Sequence, residues 1–295
     1  MADIILEHDH INTFALSRDG LTFASGRLDG MVEQWSLADG KLIRSFDGQI
    51  GEIVDVALSP DGSLLASACV TGTVGLWRSA TGELVAVLYG ERQLWPRAIA
   101  FSPDGKTLAS GGTDRIISLW DTATGVLLKA FENGDDDVAS VTFSPDGTMI
   151  AAGAGEADRR VRIWNVATGT LQTTLDEGPG AVSALAFSPD GSTLALGHSD
   201  GTIKLWHAAN WMLAATLDAH DGDLTSLAFN QSGSIVAAAS EDRSWSLSSP
   251  KLGTVLFRSL SNKETMSGAE FGADGRTLYT IDYGGRLRGW KIGGN

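Results

Sequence analysis

One turn recurs seven times along this chain of 295 residues, at nearly constant spacing. Successive turn glycines are 42, 43, 42, 44, 42 and 42 residues apart. A period of this length predicts a repeat architecture, in which no single unit buries its hydrophobic face alone. The turns are Asp19-Gly20, Asp61-Gly62, Asp104-Gly105, Asp146-Gly147, Asp190-Gly191, Ser232-Gly233 and Asp274-Gly275.

A tryptophan follows six of the turns and provides a second landmark. It lies 15 residues after the turn glycine in five repeats and 17 after it in the fourth, which indicates a two-residue insertion near Gly155. In the sixth repeat Ser248 stands where Trp is due, and we expect the early Trp245 to fill that place. The six in register are Trp35, Trp77, Trp120, Trp164, Trp206 and Trp290.

Each repeat reads as four short strands. In the third repeat an apolar run at 98–101 leads into Ser-Pro-Asp-Gly, in which proline presets φ and glycine supplies the positive φ of a hairpin. Strand patterns at 107–111, 116–120 and 126–131 follow. Four strands in a unit of about 40–45 residues predict an all-β, seven-bladed β-propeller with four antiparallel strands per blade.

The two ends of the chain complement each other. Residues 3–7 precede the first repeat, and the seventh repeat stops near Ile292 without a fourth strand. We expect the N-terminal strand to complete the last blade, since closing the ring removes open strand edges. The prediction is one domain over 1–295. Its repeats are expected at approximately 11–47, 53–89, 96–132, 138–176, 182–218, 224–260 and 266–292.

These motifs resemble the WD-repeat β-propellers, in the style of their bacterial members. Phe-Ser-Pro-Asp-Gly stands at 101–105, 143–147 and 187–191, and Leu-Trp-Asp follows at 119–121. The resemblance implies that His, Ser or Thr, Asp and Trp hold each blade. The matching aspartates are Asp29, Asp114, Asp158, Asp200 and Asp242, with Thr71 and Gly284 in their place in repeats two and seven.

No repeat carries the full set that the resemblance implies. The His matches only His220, and Ala152, Leu196 and Ala238 replace the hydroxyl in repeats four to six. Blades without a hydroxyl therefore need another partner for the indole N–H. The matching hydroxyl residues are Ser25, Ser67, Ser110 and Thr280.

Charge and cysteine content disfavour several function classes. The chain has 22 Lys and Arg against 36 Asp and Glu, a formal charge of −14, which disfavours nucleic-acid or anionic-membrane binding. A single cysteine, Cys69, excludes an internal disulfide and a cysteine-based zinc site. No apolar run reaches the roughly 18 residues of a membrane span, and no secretory signal is visible, so we expect a cytoplasmic protein.

Three fragments imitate chemical motifs. Residues 197–201 match G-x-S-x-G, yet they lie in a turn between two strands and lack the strand-to-helix elbow that the motif needs. His8-Asp9-His10 lacks a third metal ligand, and Asp135-Asp136-Asp137 lacks the spacing of a calcium loop. We predict no catalytic residue, metal or cofactor.

An interaction surface is the remaining prediction. The resemblance implies that the loops between blades share one rim with the turns between second and third strands. Acidic residues dominate this rim, with arginines among them. The acidic residues are Glu52, Glu91, Glu132, Asp135, Asp136, Asp137, Asp176, Glu177, Asp218, Asp221 and Asp223, and the arginines are Arg27, Arg115, Arg159, Arg160 and Arg243.

One loop on this rim carries residue types that dominate interface hot spots. Trp95 is outside the repeat register, and Arg92, Leu94 and Arg97 flank it; folding back over the gap between blades two and three is the alternative for Trp95. We predict a non-enzymatic scaffold that holds a protein or peptide partner with a basic patch, using this loop and Asp135, Asp136 and Asp137. The alternatives are an enzyme with its site at the mouth of the central channel, or a structural or sensory subunit of a larger assembly.

Overall fold

The computed structural model describes residues 3–8, 11–47, 51–90, 95–176, 180–259 and 262–293. Over these ranges the chain forms 28 strands in seven four-stranded antiparallel sheets. Each sheet is one blade of a ring, and this confirms the predicted seven-bladed β-propeller. No helix capable of crossing a bilayer occurs in the described ranges.

In blades one to six the strands run from the channel outward in chain order, and in blade seven the N-terminal strand is outermost. Blades one and two comprise β2 (Ile11–Leu16), β3 (Thr22–Arg27), β4 (Val32–Ser36), β5 (Leu42–Phe46), β6 (Ile53–Leu58), β7 (Leu64–Cys69), β8 (Thr73–Arg78) and β9 (Leu84–Tyr89). Blades three and four comprise β10 (Pro96–Phe101), β11 (Thr107–Gly112), β12 (Ile116–Asp121), β13 (Leu127–Glu132), β14 (Val138–Phe143), β15 (Met149–Ala154), β16 (Arg160–Asn165) and β17 (Leu171–Asp176). Blades five and six comprise β18 (Val182–Phe187), β19 (Thr193–His198), β20 (Thr202–His207), β21 (Met212–Asp218), β22 (Leu224–Phe229), β23 (Val236–Ser240), β24 (Trp245–Ser249) and β25 (Thr254–Arg258). Blade seven comprises β26 (Met266–Phe271), β27 (Thr277–Asp282), β28 (Arg286–Lys291) and, from the N-terminus, β1 (Asp3–Glu7).

Strand β1 closes the ring. It pairs antiparallel with β28, with Glu7 opposite Arg286, so the N-terminal strand completes the last blade as predicted. Ile5 and Leu6 pack into a cluster formed by Ile281 of blade seven and Phe14 of blade one. The strand thus contributes to the last sheet and to the contact between the last and first blades.

The hydrophobic core consists of seven clusters, and each lies between two neighbouring blades. Between blades three and four, for example, Ile117 and Phe131 meet Val138 and Ile150. This distribution follows from strand geometry, because alternate side chains point to opposite faces of each sheet. Each blade therefore depends on both neighbours to bury its apolar residues.

Hydroxyl groups bind the indole N–H in three blades. Trp120 Nε1 donates to Ser110 Oγ at 2.9 Å, and the same bond joins Trp35 to Ser25 and Trp290 to Thr280. The expectation that the other indoles find different partners is wrong. In the described part of the chain Trp164 Nε1, opposite the missing hydroxyl of Ala152, has no hydrogen-bond partner. Trp206 in blade five is in the same situation.

Trp77 departs from this pattern although blade two has Ser67. Its indole lies over Gly75, where a Cβ atom would come within 2.0 Å of the ring. The missing side chain at Gly75 thus opens the space that the ring occupies, and Trp77 is 1% exposed among residues of blades one and two.

Blade six rebuilds its polar set from other residues. His220 Nε2 lies 2.8 Å from Ser246 Oγ, so strand β24 supplies the hydroxyl that Ala238 lacks. Nδ1 of the same histidine lies 3.0 Å from Asp242 Oδ2. The expectation for Trp245 is wrong: it packs against Trp290 of blade seven, because a residue three positions from Ser248 faces the other side of the strand.

Two further residues of the family pattern were not recognised in the sequence. Asp282 in blade seven accepts from Arg286 N and from Arg288 Nη1, and it therefore takes the role left vacant by Gly284. His8 donates its backbone N–H to Gly285 O at 3.1 Å, as His220 does to Gly201 O. The ring of His8 contacts Trp35 at 5.3 Å, so His8 occupies in blade one the place of the family histidine.

The hydroxyl–indole pairs predict opposite effects of two substitutions. Ser110→Ala leaves a buried indole donor without a partner and should lower the free energy of unfolding by about 1–2 kcal/mol. Ala152→Ser supplies a partner to Trp164 and should raise it by about 1 kcal/mol. Urea unfolding followed by tryptophan fluorescence measures both. Equal stability of the three proteins would show that these bonds contribute nothing.

Candidate interaction site at the upper rim and channel

We call the upper rim the side of the ring that carries the loops between blades, such as 133–137 and 219–223, and the turns between second and third strands, such as 241–244. The Ser-Pro-Asp-Gly turns form the lower rim. On the lower rim Ser102 Oγ donates to Asp104 Oδ1 at 2.7 Å, and Lys106 N donates to the same oxygen. The repeated turn aspartates are therefore structural.

Trp95 stands on the upper rim with a fixed backbone and an exposed ring. Its N–H donates to Thr113 Oγ1 at 3.0 Å, and its carbonyl accepts from Thr113 N at 3.0 Å. A Cβ atom on Gly112 would lie 2.0 Å from the Trp95 carbonyl oxygen, so glycine is required for this approach. The side chain is 59% exposed and does not fold back over the gap between blades. Arg92 and Leu94, predicted beside it, lie outside the described residues.

The other predicted partner-binding residues have different surroundings. Arg97 is half exposed and pairs with Asp137, with 3.2 Å between Nη2 and Oδ2. The carboxylate of Asp136 accepts hydrogen bonds from the backbone N–H groups of Asp137, Ala157 and Asp158. Burial raises the pKa of Asp136, but these hydrogen bonds have the larger effect, and the pKa is lowered. Asp135 is exposed. The structure thus places Arg97 and Asp137 together and leaves Asp135 facing solvent.

The mouth of the central channel opens on the upper rim. A cavity of about 390 Å³ lies here, and Arg97, Asp223, Glu241 and Tyr283 are among its lining residues. Burial and the charges of Glu156 and Asp200 raise the pKa of Asp223, which means that several carboxylates surround one point. Neither Asp223 nor Glu241 forms an ion pair with another residue of the described ranges. The mouth therefore carries uncompensated negative charge.

Two more carboxyl groups lie deeper in the channel. Asp55 and Glu270 line a common cavity of about 330 Å³. Burial raises the pKa of each to about 7, and the charge of Asp55 adds to the effect on Glu270. Asp55 accepts from Ile99 N at 2.8 Å and Glu270 from Leu16 N at 2.9 Å. Each carboxyl therefore reaches the innermost strand of the next blade.

Uncharged side chains make similar bonds from blade to blade around the channel. Asn12 Nδ2 donates to Ile53 O at 3.1 Å, and Thr225 Oγ1 donates to Met266 O at 3.1 Å. Ser183 Oγ donates to Leu224 O at 2.5 Å. Because these groups satisfy backbone atoms of the neighbouring blade, the polar wall of the channel holds the ring together.

One cluster has the connectivity of a hydrolytic triad without its accessibility. Ser246, His220 and Asp242 are joined in series, but Ser246 is 0% exposed and His220 6% exposed. Burial lowers the pKa of His220, and Asp242 opposes this shift. A nucleophile must reach its substrate, so this set serves the blade.

The remaining chemical motifs give no assembled site. Ser199, in the G-x-S-x-G match, donates to Glu156 Oε1 at 3.1 Å and lies in a turn between strands β19 and β20. No group of three or more potential metal-ligating side chains is found in the part of the chain that the structure describes.

A protein-family model matches most of the chain. The family model for the WD domain, G-beta repeat, matches six segments that together cover more than half of the chain: residues 4–36, 40–78, 82–121, 125–165, 169–207 and 211–247. Each segment begins with an outer strand and continues into the first three strands of the next blade. The segments stop before Ser248, although blade seven is formed. No curated protein matches the chain.

The channel carboxyl groups predict an unusual pH dependence of stability. Both folded-state pKa values, about 7, lie above the ordinary values of 3.8 and 4.5. Their contribution to stability is therefore complete below about pH 4 and is lost as the pH rises through about 7. Glu270→Ala installs the residue found at the same repeat position in Ala15, Ala57, Ala100, Ala186 and Ala228, and its effect on the free energy of unfolding should be more favourable at pH 8 than at pH 5.

Urea unfolding of both proteins at the two pH values measures this difference. Asp121→Asn, on the exposed lower rim, serves as a control that leaves the channel unchanged. An equal effect of Glu270→Ala at both pH values would contradict the raised pKa.

Proposed function

The chain belongs to the WD40 repeat family, whose propellers generally bind proteins or peptides, and from this premise we propose that it is a non-enzymatic scaffold that holds a basic protein segment on its upper rim. The segment lies across the mouth of the channel and contacts the side chain of Trp95. The observation that carries the proposal is the uncompensated charge of Asp223 and Glu241 at the mouth.

The exposed ring of Trp95 supports a protein partner. Large aromatic side chains with little conformational freedom contribute strongly when an interface buries them. The paired hydrogen bonds to Thr113 hold the Trp95 backbone before a partner arrives. A pre-ordered contact loses less entropy on binding, which raises affinity.

The charge distribution supports a basic partner. Burial raises the pKa of Asp223, and the charges of Glu156 and Asp200 raise it further. Burial also raises the pKa of Tyr283, and the charges of Glu241 and Glu52 add to this effect. A cation between these groups would relieve the repulsion. Such complementarity mainly accelerates association and selects the partner, and salt weakens it. A cytoplasmic location is part of the proposal.

Catalysis in the channel is a second candidate function with one observation in its favour. Carboxyl groups with pKa values near 7, such as those of Asp55 and Glu270, suit acid–base chemistry at neutral pH. A hydrolase substrate panel tests it. Turnover that Asp55→Asn abolishes would favour catalysis. The absence of turnover on every substrate would contradict it.

Affinity purification of the tagged protein from its native lysate tests the scaffold. We expect a stoichiometric basic protein that is retained at low salt and released as salt rises. The double variant Asp223→Asn, Glu241→Gln and the single variant Trp95→Ala should each lower its recovery about tenfold or more, in line with the loss of one interface hot spot.

Asp39→Asn is the matched control. It removes one exposed carboxylate from the turn between β4 and β5 on the lower rim, and recovery should stay unchanged. Equal recovery by all variants would contradict the site, and a partner bound more tightly at high salt would contradict the electrostatic argument.

A further inference from the structure

Every blade ends in an outer strand whose far edge has no neighbour in the sheet. Such an edge presents unpaired backbone N–H and C=O groups and invites pairing with another strand. Proteins commonly protect edges with charged side chains. Six of the seven outer strands contain at least one Asp, Glu, Lys or Arg, and β9, with the sequence LVAVLY, contains none.

The position nine residues after the repeat tryptophan is charged in blades one and three. Nine residues after the repeat tryptophan, blade one has Arg44, which donates to Ala80 O and Thr81 O at 3.0 Å. Blade three has Lys129 at the same position, and its Nζ donates to Val166 O at 2.7 Å. In both blades the cationic side chain lies along the turn between the third and fourth strands of the next blade.

Blade two has Ala86 at that position, and the later blades also have uncharged residues there, Thr173, Ala215 and Phe257. The turn of blade three approaches so closely that a Cβ atom on Gly125 would lie 2.6 Å from Ala86 Cβ. The face of β9 is thus covered by its neighbour, while its edge has no charged side chain. An uncharged strand of six residues with high β propensity and no proline is the type of segment that pairs with another strand.

We propose that β9 pairs antiparallel with β9 of a second copy of this chain, so that two blades form one continuous eight-stranded sheet across a two-fold axis. Free backbone groups on a sheet edge are satisfied by an extended strand. A two-fold contact satisfies both edges at once. Self-pairing of β9 opposes no like charges, whereas two copies of β5 would place Arg44 opposite Arg44 at the strand centre.

Directly opposed residues of an antiparallel pair point to the same face of the sheet, so a two-fold axis can pair only residues that lie an even number of positions apart. With the axis at Val87, Val87 lies opposite Val87 of the second copy, and Val85 lies opposite Tyr89. Tyr89 is 57% exposed in the single chain. Tyr89 of each copy would therefore be covered by Val85 of the other, and pairs of aromatic and β-branched residues across strands are stabilising.

Sedimentation equilibrium over a wide concentration range tests the association. We expect a monomer–dimer equilibrium in the native protein. Ala86→Arg introduces the residue that blade one already carries there and should leave a monomer at every concentration. Thr173→Arg, at the same repeat position on β17, is the matched control and should dimerise like the native protein.

Disulfide trapping tests the register and does not depend on how Ala86→Arg folds. Val87→Cys should give a covalent dimer on mild oxidation, because the two thiols face each other at the two-fold axis. Leu84→Cys should not cross-link, since the two copies of residue 84 would lie about 20 Å apart along the strands. The native Cys69 is fully buried.

Four results would overturn the proposal. The first is a native protein that is monomeric at every concentration, and the second is a dimer that Ala86→Arg leaves intact. The third is cross-linking of Leu84→Cys as efficient as that of Val87→Cys. Open-ended aggregates in place of a dimer would also contradict a two-fold contact.

Discussion

Packing between neighbouring blades is the interaction on which the rest of this structure depends. Each hydrophobic cluster draws its residues from two blades, so a blade outside the ring would expose both of its faces. Polar groups around the channel add bonds in the same direction, as Thr225 does to Met266. The rims inherit their geometry from this arrangement, because loops from every blade are brought to one side of a closed ring.

The repeat period predicted the fold, while local departures from the period decided the polar contacts. Loop lengths differ by one residue between blades, which hid the match of His8 to His220. In blade seven Asp282, two residues before Gly284, takes the place of the aspartate expected at position 284. Trp245 was assigned to the wrong face because an offset of three residues reverses the side of a strand.

The candidate site was predictable in part. Trp95 was singled out from the sequence because it lies outside the repeat register, and Asp223 was among the acidic residues that the resemblance placed on the same rim. Glu241 and Tyr283 were missed, since only the closed ring brings them to the channel mouth. Glu270 had a usable signal, because five repeats have alanine at its position and a carboxyl there departs from the repeat.

We infer that the ring folds as one cooperative unit closed by β1. Urea unfolding of the full chain and of a variant lacking residues 1–7 tests this, with tryptophan fluorescence as the readout. We expect a much lower and broader transition for the shortened chain, restored in part by adding a peptide of residues 1–8. An unchanged transition would show that the seven blades hold together without a closed ring.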